Sequence, residues 1–492
     1  MAVLPEVRPH YGKLKLLIDG QMVESETEKY LPVMNPAKDE VIAEVPLATK
    51  EEVDRAVEAA VNAFEKWKEL PVPERVKYIY RLRQVFLDHY EELARICTQN
   101  HGKVIDEARG GMRRTIENIE TACSIAYTLA KGEQLDQISR GIDEMLVREP
   151  LGVFAIVGPF NFPLLAPFWF VPYALALGCT VVVKPSEICP LQPAWAFELI
   201  KDIFPPGVVN VVHGGAEVVQ RLIEHPDVVG IAFVGSTRVG RIVYEAAGKH
   251  GKRALCQAGA KNYVVIMPDA DFEKAVPACL SSFFGNTGQR CLSGGALVTV
   301  GEAYDKFVPK FVEAASKIRL GYGLDERAEM GPLTTKKGKE RVLGYIEKGL
   351  EEGAKLLLDG RDAKVPDYPN GYWLGPTIFT DVTPDMTIAR EEIFGPVCPI
   401  IRAENLDEVI EWINTKTIYG NAASIFTSSG RVARQFRRGV KAGNIGINIG
   451  IPAPMAFFPF GGWKQSFFGV LHGQIDCVDF FTDKKIIIER WW

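Results

Sequence analysis

Three short segments carry side chains that could do covalent chemistry. The first, residues 286–291, has the sequence Asn-Thr-Gly-Gln-Arg-Cys, so that Cys291 directly follows Arg290. The thiolate is the nucleophilic form of cysteine, and nearby positive charge or backbone N–H groups favour it. On its own, Cys291 is better explained as a buried structural cysteine, because free cysteine is among the most buried residue types. The catalytic interpretation depends on the other two segments.

The second segment, residues 158–163, has the sequence Gly-Pro-Phe-Asn-Phe-Pro and follows an apolar run typical of a strand. The side-chain amide of Asn161 can donate a hydrogen bond to an oxyanion that develops during a reaction. The alternative is a turn asparagine that bonds only its own backbone. The third segment, residues 257–262, has the sequence Gln-Ala-Gly-Ala-Lys-Asn.

Taken together in their order along the chain, the three segments resemble the motifs of the aldehyde dehydrogenase superfamily, and the resemblance covers nearly the whole chain. It implies an α/β fold of the aldehyde dehydrogenase type, with a Rossmann-like cofactor domain, an α/β catalytic domain and a small β oligomerisation element. It also implies that Cys291 is the nucleophile and that Asn161, with the backbone N–H of Cys291, stabilises the oxyanion. The domains expected are an NAD-binding domain at 1–127 and 151–259, a catalytic domain at 260–459, and an oligomerisation element at 128–150 and 478–492.

The hydrophobic pattern predicts an α/β architecture independently. From residue 152 onward, short apolar runs alternate with helical stretches, which indicates a parallel sheet covered on both faces. Thr49 and Glu52 form a capping box that predicts a helix over 49–68. The tail 484–490 is a β-type run, and because an exposed edge strand is a pairing liability, we expect it to pair, with another subunit. The strands predicted in the first half of the chain are 153–157, 180–183, 208–212 and 229–234.

No G-x-G-x-x-G fingerprint follows any predicted strand, so the cofactor site differs from the ordinary Rossmann type. Lys184 and Glu187, in the segment Lys-Pro-Ser-Glu, instead resemble the superfamily's clamp on the adenosine ribose. A carboxylate at this place repels a 2′-phosphate, so Glu187 favours NAD over NADP. Ser236 opens a predicted helix whose free N–H groups suit a pyrophosphate. An ordinary N-cap serine is the alternative, and both roles are compatible.

Further cofactor contacts are implied by the resemblance alone. In the segment 391–396, Glu-Glu-Ile-Phe-Gly-Pro, Glu392 would bind the nicotinamide ribose and Phe394 would pack near the ring. Phe160 joins them as a cofactor contact. Without the resemblance, the segment would be only a helix end before a Gly-Pro turn.

Gln257 is where this sequence departs from hydrolytic aldehyde dehydrogenases. Those enzymes carry a glutamate here, the base that activates water, and a glutamine cannot accept a proton at neutral pH. The thioester intermediate would then react with a thiol instead of with water. The chain resembles the CoA-acylating methylmalonate-semialdehyde dehydrogenase group in this feature, in Gly-Ala-Lys-Asn, and in the segments 446–460 and 462–467. The stretch 470–476 departs from the pattern expected.

Two arginines indicate an anionic substrate. Arg290 precedes the nucleophile, and Arg114 stands where that group binds the substrate carboxylate. Guanidinium groups suit planar carboxylates. A solvated helix face beside Arg113 is the alternative for Arg114.

The bulk composition narrows the function classes. A chain of 492 residues is expected to form two or three domains. The formal net charge of −5 gives no electrostatic footprint for nucleic acid. Nine cysteines without a C-x-x-C pair argue against a structural zinc site and favour a reducing compartment. The apolar segment 160–178 contains three prolines and fits a buried helix better than a membrane span. We therefore expect a cytoplasmic enzyme without membrane attachment, assembled as a homodimer or homotetramer.

The sequence thus predicts an NAD-dependent dehydrogenase that oxidises malonate or methylmalonate semialdehyde and passes the acyl group to coenzyme A, yielding acetyl-CoA or propionyl-CoA. A hydrolytic aldehyde dehydrogenase acting on another aldehyde is one alternative, and a CoA requirement separates the two. A non-catalytic binding protein on the same fold is the other.

Overall fold

Two large β-sheets, each flanked by helices, organise the chain. The computed structural model describes residues 3–492. The strands are β1 (Leu16–Ile18), β2 (Gln21–Val23), β3 (Tyr30–Asn35), β4 (Glu40–Pro46), β5 (Glu133–Ser139), β6 (Ile142–Pro150), β7 (Val153–Val157), β8 (Thr180–Lys184), β9 (Val209–Val211), β10 (Val228–Val234), β11 (Arg253–Gln257), β12 (Asn262–Ile266), β13 (Gly294–Val300), β14 (Lys355–Leu358), β15 (Thr377–Val382), β16 (Val397–Ala403), β17 (Tyr419–Gly420), β18 (Ala422–Phe426), β19 (Asn444–Ile447), β20 (Trp463–Lys464), β21 (Phe467–Phe468) and β22 (Thr482–Glu489).

The helices surround these sheets and supply most of the chain between strands. They are α1 (Lys50–Trp67), α2 (Val72–Asp88), α3 (Tyr90–His101), α4 (Ile105–Thr128), α5 (Val171–Leu177), α6 (Leu191–Ile200), α7 (Ala216–Glu224), α8 (Thr237–Lys249), α9 (Phe272–Phe284), α10 (Ala303–Ser316), α11 (Lys336–Glu351), α12 (Thr387–Arg390), α13 (Leu406–Thr415), α14 (Gly430–Gly439) and α15 (Cys477–Phe481), with 3-10 turns at Pro167–Trp169, Gly285–Gly288 and Gln474–Asp476.

The first sheet has eight strands in the order β2-β1-β9-β8-β7-β10-β11-β21. The five strands from β9 to β11 are parallel, and antiparallel β1 and β21 pair with the two ends of this set. The central strands β7 and β8 are buried along their whole length. The four strands predicted from the apolar runs are β7, β8, β9 and β10, which confirms those predictions.

The second sheet has seven strands in the order β14-β15-β16-β13-β12-β18-β19. All are parallel to their neighbours except β14 at one edge. Its core is separate from the core of the first sheet and consists of aliphatic strand residues packed against α11, α13 and α14.

Two local predictions about helices are confirmed. The side chain of Thr49 accepts a hydrogen bond from the backbone of Glu52, and the Glu52 side chain accepts one from Thr49, so the capping box begins α1. The apolar segment 160–178 forms a 3-10 turn and the buried helix α5. Within residues 3–492, none of the helices has both the length and the apolar run that crossing a bilayer requires.

The C-terminal tail pairs within its own chain. Strand β22 runs antiparallel to β6 from Thr482 opposite Pro150 to Glu489 opposite Asp143, in a three-stranded sheet with β5. The expectation that the tail pairs with another subunit is therefore wrong for this edge of β22, because β6 already supplies its hydrogen bonds.

Aromatic packing and one arginine attach this tail to the first sheet. Phe481 is fully buried, and its ring meets that of Phe154 on β7 edge to face, 4.6 Å between centroids. Arg253 donates hydrogen bonds of 2.9–3.1 Å to the carbonyl oxygens of Asp479, Phe480 and Thr482. The segment that leads into β22 is thus packed on the first sheet, whereas β22 itself is largely exposed.

We expect Phe481→Ala to destabilise the protein by about 3–5 kcal/mol, because it removes a fully buried ring and leaves a cavity against β7. The measurement is the midpoint of urea denaturation. The exposed Tyr80 on α2 supplies the control, since Tyr80→Ala should change the free energy of unfolding by less than about 0.5 kcal/mol. Equal midpoints for the two variants would show that the aromatic contact does not hold the tail.

Candidate active site

The predicted site residues lie where strand ends of the first sheet meet strand ends of the second sheet. Residues at or after the carboxyl ends of the first sheet's parallel strands face residues that come directly before strands of the second sheet. Ligands of parallel sheets bind at the carboxyl edge. The first edge contributes Asn161 after β7, Lys184 at the end of β8, Ser236 after β10 and Gln257 at the end of β11. The second contributes Lys261 before β12, Cys291 before β13, Glu392 and Phe394 before β16, and Asn421 before β18.

Cys291 is partly buried and is the one cysteine of the described chain that is not fully buried. Its backbone carbonyl accepts hydrogen bonds from the side-chain amides of Asn262 (2.8 Å) and Asn421 (2.9 Å). These two contacts fix the backbone that carries the thiol. Sequence reasoning did not identify Asn421, which lies 130 residues downstream in an ordinary strand start.

The thiol of Cys291 is protonated at neutral pH in this state. Burial, with the carboxylate of Glu392 as a smaller cause, raises the pKa of the thiol to about 12. The Arg290 guanidinium, which the sequence suggested as a charge favouring the thiolate, pairs with Glu107 at 2.7 Å. Thiolate formation therefore requires a proton acceptor or a change of environment when ligands bind.

Asn161 reaches across to the loop that carries Cys291. Its amide Nδ2 donates to the carbonyl oxygen of Gln289, 3.1 Å away, and the residue is 7% exposed. The alternative of a turn asparagine bonded only to its own backbone is therefore wrong. Lys103, fully buried, donates from Nζ to the backbone oxygen of Asn161 at 2.7 Å and lies 4.1 Å from the ring centroid of Phe162. Neither Lys103 nor the Gln289 carbonyl gave a sequence signal.

The loop before Cys291 has a strained backbone. Asn286 and Thr287 both have φ of 52°, in the left-handed region that non-glycine residues seldom adopt. A Cβ on Gly288 would lie 2.1 Å from the carbonyl oxygen of Gly395, so only glycine lets the loop approach the 392–396 segment this closely. The Thr287 hydroxyl donates to the Gly331 carbonyl at 3.0 Å and helps to hold this conformation.

Lys184 and Glu187 form an ion pair of 2.9 Å at the end of β8. The Lys184 side chain is 5% exposed and that of Glu187 is 33% exposed, so an ammonium donor and a carboxylate acceptor lie side by side at the end of the strand. This donor set fits two vicinal hydroxyl groups. Ser236 caps α8 by accepting from the N–H of Val239 at 3.5 Å, so the alternative of an N-cap serine is confirmed.

Glu392 and Lys261 line one small pocket together with Phe394 and Arg290. One Glu392 oxygen accepts from the N–H of Ala260 at 2.9 Å. Burial raises the pKa of Glu392 to about 7 and lowers that of Lys261 to about 7, since burial disfavours each charged form.

Phe160 and Phe394 are brought together across the two sheet edges. Their rings meet edge to face with centroids 5.8 Å apart. Phe160 also stacks on the buried ring of His101 at 6.0 Å. The two phenylalanines that the sequence predicted separately as cofactor contacts therefore lie against each other.

Gln257 is turned toward a carbonyl. Its Nε2 donates to the backbone oxygen of Phe460 at 2.5 Å, and its Oε1 is buried without a partner among the described residues. An orphan acceptor costs free energy in a folded protein. The side chain is a donor in this structure and not a base.

Of the two predicted substrate arginines, Arg114 belongs to helix α4 and Arg290 contacts it. Arg114 is paired with Glu117 at 2.6 Å and donates to the carbonyl of Pro454 at 2.8 Å. Arg290 is paired with Glu107, which lies two helical turns before Arg114, or about 10 Å along the axis. The structure places both arginines along one helix, each already paired with a carboxylate. Over residues 3–492, no group of three potential ligands is arranged to bind a metal ion.

Comparisons with known proteins agree with this geometry. The model of the family described as "Aldehyde dehydrogenase family" matches residues 22–487. The chain is 48% identical to malonate-semialdehyde dehydrogenase 2 of Geobacillus kaustophilus, over 97% of this chain and 99% of that protein. The crystal structure of a methylmalonate-semialdehyde dehydrogenase from Oceanimonas doudoroffii superposes with a TM-score of 0.96 at 38% identity, covering 98% of this chain and 99% of that one.

A structure from Sinorhizobium meliloti 1021, solved in complex with NAD, also has a TM-score of 0.96, at 39% identity over 98% of both chains. Sequence, fold and the disposition of the site residues thus lead to one assignment. The chain belongs to the aldehyde dehydrogenase family.

Proposed function

We propose that this enzyme oxidises malonate or methylmalonate semialdehyde with NAD and transfers the product acyl group to coenzyme A as acetyl-CoA or propionyl-CoA. The observation that carries the proposal is Gln257, whose amide is bonded to the Phe460 carbonyl at the position where a hydrolytic enzyme needs a base. Relatives named malonate-semialdehyde dehydrogenase, at 44–48% identity over nearly their full length, support the substrate class.

The reaction begins when the Cys291 thiol gives its proton to solvent and its sulfur bonds to the aldehyde carbon. The carbonyl oxygen becomes an oxyanion that accepts from the backbone N–H of Cys291 and from the Asn161 amide. For this, the amide exchanges the Gln289 carbonyl, 3.1 Å away in this structure, for the oxyanion. NAD, when bound, accepts the hydride, and a thioester remains on Cys291.

The thioester then loses its carboxylate. The carbon–carbon bond to the carboxylate breaks, CO₂ leaves, and the carbon atom takes a proton. The thiol of coenzyme A next bonds to the thioester carbon, and the bond from that carbon to Cys291 breaks, which regenerates the enzyme. Gln257 cannot take a proton from water, so water does not compete at this step.

The cofactor assignment rests on the donor set at the first sheet's edge. We assign Lys184 and Glu187 to the adenosine ribose, the α8 N-terminus at Ser236 to the pyrophosphate, and Glu392 to the nicotinamide ribose. Phe160 and Phe394 would flank the ring. The Glu187 carboxylate favours NAD over NADP because it would repel a 2′-phosphate.

The proposed domains follow the two sheets. Residues 1–127 and 151–259 would bind NAD and 260–459 would carry the nucleophile. Residues 128–150 and 478–492 would join subunits into a homodimer or homotetramer. The three-stranded sheet of β5, β6 and β22 supports the last assignment, because Ile486 and Ile488 on its edge strand are 57% and 65% exposed.

We expect Cys291→Ala to abolish aldehyde oxidation and to leave NAD binding intact, because the alanine has no nucleophile and the dinucleotide is held by other residues. Mass spectrometry with aldehyde and NAD but no CoA should find an acyl adduct on Cys291. The matched control is Cys279→Ala, at a fully buried cysteine of α9, which should keep its activity. An adduct on another cysteine, or turnover by the Cys291 variant, contradicts the assignment.

We expect Arg114→Leu and Arg290→Leu to reduce kcat/KM for malonate semialdehyde by about ten- to a hundredfold, since a charge-assisted hydrogen bond is worth roughly 1.5–3 kcal/mol. Propionaldehyde, which has no carboxylate, should lose much less. The control is Arg113→Leu, at an exposed neighbour on α4, which should change neither substrate. Equal losses on both aldehydes would show that these arginines serve only their pairs with Glu117 and Glu107.

We expect Gln257→Glu to produce NADH and free acid without CoA, because it places a carboxylate at the base position. General-base assistance contributes on the order of 10²–10⁴ in rate, so a poorly oriented carboxylate should still be detectable. Gln257→Ala is the control, since it removes the bond to Phe460 without adding a base. Full turnover of the unmodified enzyme without CoA would refute the acylating function itself.

A further inference from the structure

Lys103 is a charged residue in the interior that takes no part in the reaction steps proposed above. It lies in the turn between α3 and α4 and is 2% exposed. Its Nζ donates to the carbonyl oxygen of Asn161 at 2.7 Å and lies 4.1 Å from the ring centroid of Phe162. Within residues 3–492, Nζ takes part in no other hydrogen bond and in no ion pair. An ammonium group taken out of water is costly, and here its hydrogen-bond partner is one backbone oxygen.

The backbone that carries this lysine is closely packed. A Cβ on Gly323 would lie 2.2 Å from the carbonyl oxygen of Lys103, so the two backbones approach as closely as a glycine allows. The N–H of Ile105, two residues after the lysine, donates to the Gly323 carbonyl at 2.9 Å. The Lys103 side chain therefore extends from a fixed point, and its length determines where Nζ lies.

Asn161 is held at two points, and Lys103 supplies one of them. The Asn161 side-chain amide donates to the Gln289 carbonyl at 3.1 Å, whereas its backbone carbonyl accepts from Lys103 alone among residues 3–492. Both contacts are buried. A buried carbonyl that loses its donor costs free energy, so the turn would shift to satisfy it. Lys103 thus fixes the backbone from which the Asn161 amide projects.

The start of α4 also holds the loop that carries Cys291. Glu107, four residues after Lys103, accepts from the backbone N–H of Asn286 at 2.6 Å and from Arg290 Nη2 at 2.7 Å. Lys103 and Glu107 therefore attach two segments to one short stretch of chain, namely the turn after β7 and the loop before β13. The contact of Lys103 with Asn161 is thus made from a support that the loop shares.

We propose that Lys103 is a positioning residue for aldehyde oxidation: by holding the Asn161 carbonyl, it aims the Asn161 amide at the oxygen of the aldehyde. The proposal rests on the oxyanion role given to Asn161 in the proposed function. As the Cys291 sulfur bonds to the aldehyde carbon, the π electrons of the carbonyl move to its oxygen. The Asn161 N–H then turns from the Gln289 carbonyl to that oxygen. Lys103 keeps its contact throughout and neither gains nor loses a proton.

The test is the burst of NADH in a single turnover of the full-length enzyme with propionaldehyde and saturating NAD, without CoA. Lys103→Met keeps the length of the side chain and its packing on Phe162 but removes the donor to Asn161. We expect the burst to slow about ten- to a hundredfold, because a misplacement of about 1 Å can cost on the order of a hundredfold in rate. NAD affinity, measured by titration, should be unchanged.

A double-mutant cycle with Asn161→Ala separates positioning from a purely structural role. Asn161→Ala alone should slow the burst by about 10²–10³, as expected for the loss of an oxyanion donor. If Lys103 acts through Asn161, Lys103→Met should slow this variant by less than about twofold more, because the two effects are not additive. A lysine that only supports the fold would slow both backgrounds alike. Equal slowing therefore overturns the proposal, as does an unmodified burst for Lys103→Met alone.

Lys77→Met is the matched control, because Lys77 is exposed on α2 and this variant should show the unmodified burst. If Lys103→Met does not bind NAD, Lys103→Gln goes through the same cycle, and equal slowing in its two backgrounds overturns the proposal. A full burst in Asn161→Ala alone refutes the oxyanion role of Asn161, whatever Lys103→Met does, and thereby identifies a failure of the proposed function.

Discussion

The carbonyl oxygen of Gln289 is the point on which the site depends. It accepts from Asn161 Nδ2 at 3.1 Å and from Asn286 Nδ2 at 2.9 Å. Asn161 follows a strand of the first sheet, whereas Asn286 belongs to the loop that leads into the second. One acceptor thus fixes the distance between Asn161, the proposed oxyanion donor, and the loop of Cys291, the proposed nucleophile. It also satisfies the amide of Asn161, so that in the proposed reaction this donor is oriented before an oxyanion forms.

Charged groups inside the protein support the contacts made at the Gln289 carbonyl. Lys103 is fully buried and makes its hydrogen bond to the Asn161 carbonyl, and Glu107 accepts both from Arg290 and from the backbone of Asn286. A buried charge without partners is costly, and removing one partner exposes the other to that cost. These contacts form one connected network, in which Lys103, in the turn before α4, and Glu107, in its first turn, support the loop that carries Cys291.

The sequence predicted the elements and the chemistry more fully than the contacts. Apolar runs located β7, β8, β9 and β10, because strands buried on both faces must be continuously apolar. The motifs around Asn161 and Cys291 were recognisable because the reaction demands particular atoms. Lys103 and Asn421 gave no such signal, since each acts through a backbone carbonyl that only the folded chain brings near. The ion-pair partner of Arg290 gave no signal for the same reason, because Glu107 is 183 residues away.

Gln257 and the C-terminal turn share one hydrogen-bond acceptor, the carbonyl oxygen of Phe460. An amide can donate to the Phe460 carbonyl, whereas an ionised carboxylate at 257 would face that oxygen with a like charge. The same carbonyl accepts from Gly473, so the turn that carries 470–476 is built on an acceptor already engaged by Gln257. A carboxylate at 257 would therefore lose this contact and leave the Gly473 N–H as the remaining donor to the Phe460 carbonyl.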